Sequence, residues 1–161
     1  MRNHVGPLAP EASLGAMFGV ALLLPCLLIA SGCSTRTEAP APQMLLGSFE
    51  DDYDLAYTIS TRTWKQRPGG LYHIARWRGS PSGGYLIAQN DSSNAADGGR
   101  WTRIDWVALP DMAPYEWAFC LSTYDAPTAA AAESSRVARP EAPRTGCNGF
   151  PFSRMRRVSS G

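Results

Sequence analysis

Histidine is nearly absent from this 161-residue sequence: there are two, His4 and His73, and only His73 lies beyond the first 32 residues. Acid–base chemistry at neutral pH uses histidine most often, so a reaction built on a Ser-His or Cys-His pair would have to rest on His73 alone. Lysine is rarer still, with Lys65 the single example among 15 basic residues, and 14 acidic residues bring the net charge to +1. So balanced a chain carries no overall field toward nucleic acid or acidic lipid, and no nucleic-acid partner is expected. No Gly-x-Ser-x-Gly, His-Glu-x-x-His, P-loop or dinucleotide fingerprint occurs, so none of the chemistries those motifs mark is encoded, and no cofactor is expected. The four cysteines are not spaced as metal ligands.

A long hydrophobic run is missing as well. Residues 18–30 (FGVALLLPCLLIA) are uncharged, but 13 residues fall short of the ~20 a spanning helix needs, and Pro25 interrupts helical hydrogen bonding. The length is that of a signal-peptide core, and small residues follow it, as a peptidase cleavage site requires. The next residue is Cys33. Ala30-Ser31-Gly32-Cys33 resembles the bacterial lipobox, with Ala30 where Leu, Val or Ile is usual. The resemblance implies that the Cys33 thiol receives diacylglycerol, that cleavage leaves Cys33 as the new N-terminus, and that the lipid anchors the chain to membrane. Ser34 rather than Asp after the cysteine implies the outer membrane, in a host that has one. An ordinary secreted protein cut near Ser31 is the alternative. Residues 34–43 (STRTEAPAPQ) are polar and Pro-rich, which suits an extended tether.

What is plentiful is apolar alternation. Leu55, Tyr57 and Ile59 alternate with Ala56, Thr58 and Ser60, and Tyr115, Trp117, Phe119 and Leu121 with Glu116, Ala118, Cys120 and Ser122. Thr102, Ile104 and Trp106 alternate with Trp101, Arg103 and Asp105. Period 2 is the mark of half-buried strands. Weaker runs at 45–50, 63–67, 71–78 and 85–90 bring the expectation to about seven strands, separated by short breaks rich in Gly, Pro, Asn and Asp. The reading is an all-β domain, an antiparallel meander closed into a barrel or folded as a sandwich. Gly47-Ser48-Phe49 is similar to the Gly-x-Trp opening of lipocalins, with phenylalanine in the aromatic place. Residues 126–137 predict a short helix with Asp125 as its cap, followed by an irregular tail. The expected organisation is a signal peptide (1–32), a lipidated tether (33–43), a β-rich domain with a C-terminal extension (44–152) and a flexible basic tail (153–161). Cys26 leaves with the signal and Cys33 is acylated, so Cys120 and Cys147 remain to pair in an oxidising compartment.

Candidate chemistry is sparse. Glu50, Asp51, Asp52 and Asp54 cluster in a turn, and a small hydrolase would draw paired acids from Asp51, Asp52, Asp54, Asp105 or Glu116. His73 falls within a predicted strand, where a hydrogen-bonded structural histidine is equally in place. Asn90, Asp91, Asn94, Asp97 and Gly98 offer calcium oxygen ligands, or else simply the turn geometry of a long hairpin loop. Five tryptophans, at 64, 77, 101, 106 and 117, are more than seven strands comfortably bury, so one or two rings are expected at an edge. The row Trp101, Arg103, Asp105 is therefore the candidate contact surface, able to grip a glycan or an envelope protein by stacking and charge-assisted hydrogen bonds. Its alternative is structural, with Arg103 and Asp105 paired across to neighbouring strands and Trp101 covering a barrel end. The expected function is a tethered, non-enzymatic ligand- or protein-binding module, with a small hydrolase or a purely structural envelope domain as alternatives.

Overall fold

The computed structural model describes residues 39–158. The signal segment, Cys33 and the first part of the tether lie outside them. The fold is all-β: eight strands, β1 (Gly47–Asp51), β2 (Ala56–Ile59), β3 (Thr63–Arg67), β4 (Leu71–Ser80), β5 (Gly83–Asn90), β6 (Trp101–Ala108), β7 (Tyr115–Ala126) and β8 (Ser153–Arg157). Each pairs antiparallel with its sequence neighbour, and β8 returns to β1 through Phe49↔Arg157 and Asp51↔Met155. The result is an up-and-down closed barrel, which leaves no sheet edge exposed. Seven of these strands fall where the alternation predicts them. The eighth comes from the segment expected as a flexible tail.

The barrel interior is a packed core rather than a cup. An eight-stranded barrel is just wide enough to be filled by side chains, and here Phe49, Tyr57, Trp64, Trp106, Trp117 and Phe119 fill it together with Leu86, Ile104 and Met155. Trp64 meets Trp117 and Phe119 edge to face at 5.9 and 5.1 Å, and Phe49 meets Trp117 at 5.2 Å. Such pairs add to burial because the positive ring edge faces the negative ring face. Two bulges tune which residues enter. A register shift between Ile74 and Arg76 lets Trp77 follow Ile74 into the core and turns Arg76 outward, and one between Tyr115 and Trp117 leaves Tyr115 on the outer wall.

Both ends are closed. At the N-terminal end a 3-10 turn, Gln43–Leu45, drops Leu45 fully into the core. Arg157 latches it: Nη1 donates to the Leu46 carbonyl (2.9 Å), Nη2 to that of Met44 (3.0 Å), and the guanidinium lies 4.6 Å from the Phe49 ring. At the other end the Tyr57 hydroxyl donates to the buried Asp51 carboxylate (2.9 Å). Burial first, and then that bond, push the Tyr57 phenol upward, so it stays a donor. At the same end, buried Asn90 donates to the Tyr124 and Asp97 carbonyls and accepts from the Thr102 hydroxyl. A polar group left unpaired there would cost about 1–3 kcal/mol, so these plugs fix the loops that supply their partners.

Candidate binding groove

Most connections in the barrel are short, but residues 127–152 separate β7 from β8. Long connections in compact domains usually carry function, and this one covers the outer wall in two patches. The first is the helix α1 (Ala129–Ser134), which lays Ala132 against Ile87 and Ala126. It is shorter than the helix expected over 126–137. Strand β7 runs on to Ala126, so Asp125 remains in the sheet, and Thr128 is the cap, its hydroxyl accepting from the Ala131 N–H (3.1 Å).

Beneath α1 lies the row expected as the contact surface. Period 2 does place Trp101, Arg103 and Asp105 outward from the core, but Arg103 and Asp105 are only 8% and 4% exposed. Arg103 grips Asp105 through two bonds of 2.8 and 2.7 Å, donates to the Glu133 carbonyl at the end of α1 (2.8 Å) and stacks 3.8 Å above the Tyr85 ring. Ser122 donates to the same carboxylate. The contact-surface reading of Trp101, Arg103 and Asp105 is therefore corrected: the helix occupies that face, and the pair holds the helix down. Glu133 completes the clasp, accepting from Arg76 (2.8 Å) and from the Tyr85 hydroxyl (3.0 Å). Four tryptophans belong to the main core, and Trp101 packs half-buried against the α1 patch, so no indole supplies the expected edge platform.

The second patch is a loop pinned by the expected Cys120–Cys147 disulfide, Cα to Cα 5.4 Å. Cys120 stands on the outer face of β7 in a small satellite core with Leu109, Ala118 and Phe152. Next to the bridge, Asn148 (φ 52°) and Gly149 (φ 89°) form a two-residue turn, with Cys147 and Phe150 exchanging two backbone bonds of 2.9 Å. Positive φ at both central positions is the type I′ geometry that Asn-Gly favours. Phe150, at the end of this stapled turn, is 70% exposed.

Between this loop and β7 a groove of about 450 Å³ opens on the outer wall. Its lining includes Leu109, Ala118 and Phe152, with Pro143 and Pro151 on the loop side, and it also takes in Tyr53 and Met112, which are 64% and 37% exposed. Three charged residues complete it: Asp52, Arg144 and Arg154. Asp52 accepts from the Arg154 Nε (2.9 Å) and backbone N–H (3.1 Å), and that hydrogen bond is the main cause of the raised Arg154 pKa. Arg154 also lies over the Tyr115 ring at 4.5 Å. Arg144, which is exposed, has no hydrogen bond or ion pair among the described residues.

The other sequence candidates are not brought together. Among the acids considered for hydrolysis, Asp51 caps its own turn by accepting from the Tyr53 and Leu55 N–H groups, Asp54 with Glu50 faces Arg156, and Glu116 faces Arg157. Asp52 and Asp105 are held by Arg154 and Arg103. In the β5–β6 loop, Asp91 binds the Ser93 hydroxyl and N–H and meets His73 Nε2 at 2.7 Å. The Ser93 hydroxyl first, then His73, hold the Asp91 carboxyl well below the usual carboxylate range. Asn94 pairs reciprocally with the Leu71 backbone, and the Asp97 carbonyl accepts from Asn90. The candidate calcium oxygens of Asp91 and Asn94 thus serve hairpin geometry, and no cluster of three or more His, Cys, Asp or Glu side chains suited to a metal occurs among the described residues.

Tyr53, Met112, Arg144 and Phe150 were not among the sequence candidates. Only the Asn148-Gly149 pair, beside a cysteine and between aromatic or apolar neighbours, signals a rigid displayed turn. Fold and site together define a small closed up-and-down barrel with an apolar groove on its outer wall. No protein-family model matches the chain, and no curated protein or solved structure matches it.

Proposed function

We propose that this chain is a cell-envelope lipoprotein, anchored through Cys33, whose barrel is a binding module and whose binding site is the groove between β7 and the 138–152 loop. The observation that carries the reading is where the concavity lies. The barrel interior is filled, whereas an apolar hollow of about 450 Å³ opens outside it beside exposed Tyr53 and Met112. A concave, mostly apolar site with a few polar groups, of some 300–1,000 Å³, is the usual form of a ligand site. Large apolar side chains kept in water beside it are a standing cost that binding removes. The small-residue run ending at Cys33 and the polar, Pro-rich residues 34–43 support the anchoring half of the proposal.

Two measurements test the two halves. The Cys33→Ser protein should leave the membrane fraction in high salt, and if it still sediments with membrane the anchor is not Cys33. A photo-crosslinking side chain placed at Met112 should capture a bound ligand or protein in intact cells, while the same group at Lys65 on β3 should not. Equal capture from both positions would remove the groove from consideration.

A further inference from the structure

Resting on that reading of the groove, we infer that its ligand is an amphipathic monocarboxylate, an apolar body headed by a single carboxylate that pairs with Arg144. The charges of the site are the reason. Asp52 and Arg154 neutralise one another through a 2.9 Å contact, with the Asp52 side chain only 13% exposed. Together they add no net charge to the groove. Arg144 has no acidic partner among the described residues, so the groove presents one uncompensated positive charge in a lining whose exposed apolar residues are Tyr53 and Met112. A guanidinium matches a carboxylate in planar, two-point geometry. A ligand of charge −1 cancels the excess, whereas a phosphate monoester, carrying up to two charges near neutral pH, would over-compensate it and meet the Asp52 carboxylate. The apolar body belongs in the hollow beside Tyr53 and Met112, the exposed apolar residues of its lining, where displaced water returns to bulk.

Covalent constraints act on the same segment. Proline at 143 and 151 and the bridge at Cys147 bracket the segment that carries Arg144, so the guanidinium is delivered from a loop with little freedom to lose on binding.

The test compares three probes that share one apolar body and differ only in the head: 4-phenylbutyrate, 4-phenylbutanol and 4-phenylbutylammonium. They are titrated by calorimetry into the mature chain, residues 33–161, carrying Cys33→Ser, which dispenses with detergent. The acid should bind about tenfold more tightly than the alcohol, and the amine more weakly than either. Arg144→Ala should abolish the advantage of the acid while leaving the alcohol unchanged, and Arg144→Lys should restore part of it. Salt should weaken the acid alone. If acid and alcohol bind equally, and Met112→Arg removes both, the groove stands as a binding site and the carboxylate inference falls. If none of the three binds, the inference likewise falls, and the crosslinking at Met112 then decides separately whether the groove is a site at all.

Discussion

Asp105→Ala is expected to destabilise the domain by about 3–5 kcal/mol, the range for removing one partner of a buried ion pair. The loss is large because the substitution does more than delete two hydrogen bonds. It leaves the Arg103 guanidinium buried at 8% exposure with the Glu133 carbonyl as its remaining hydrogen-bond acceptor, and it leaves the Ser122 hydroxyl only the Cys120 sulfur, at 3.7 Å. Desolvating an uncompensated charge is the dominant cost, so the effect should depend on what remains and not only on what is lost. The double variant Arg103→Leu/Asp105→Leu removes both charges and should regain at least half of the stability lost in the single variant. Urea unfolding followed by circular dichroism measures both. A single variant within about 1 kcal/mol of wild type would mean that the pair is solvated and that α1 is held by apolar contacts alone. Because Arg103 also binds the last turn of α1, amides of residues 129–134 should exchange faster in Arg103→Leu even where global stability recovers.

How far the molecule could be read from its residues depended on whether period 2 survived. In β3 and β6 it does, and those strands lie where alternation places them, with Ile104 and Trp106 inward. It fails at Glu116 and Ala75, where bulges move Tyr115 out of the row that holds Trp117 and let Trp77 follow Ile74 inward. Strand β8 was illegible for a different reason. In Ser153–Arg157 only Met155 is apolar, and the three arginines are spent on Asp52, on Glu50 with Asp54, and on Glu116 with the carbonyls of the N-terminal turn. Apart from Glu116, those partners stand some hundred residues earlier, so local composition reads as a solvated basic tail. Alternation separates the row of Arg103 and Asp105 from that of Ile104 and Trp106, but it carries no sign of what covers the first row, because α1 arrives from a segment whose alanines do not show where they dock. The groove was hidden for the same cause: it belongs to no one element, but to the gap between a strand and a loop stapled across it.

That staple sets the second large effect. Replacing Cys120 and Cys147 with alanine should cost about 3.5 kcal/mol on the chain-entropy account of a loop this long, the bridged residues being 27 apart in sequence. In a domain of this size that is a substantial part of the total. The direction follows from the unfolded state, which gains freedom when the bridge is gone. The native state loses something as well, since Cys120 is 1% exposed within the satellite core of Leu109, Ala118 and Phe152, and the loop would be left with apolar packing and backbone bonds such as Phe152 N–H to the Pro143 carbonyl. The loss should therefore be uneven. The barrel core, with its paired strands and aromatic interior, should keep its far-ultraviolet spectrum, while residues 138–152 exchange their amides first. The groove wall should loosen with them, so that affinity for the matched acid falls at temperatures where the barrel is still folded. Mild reduction of the wild-type protein should reproduce both changes, which separates loss of the bond from any effect of the alanine side chains. An unchanged unfolding midpoint in the double variant, together with unaltered exchange in the loop, would show that the bridge constrains nothing the packing does not already hold.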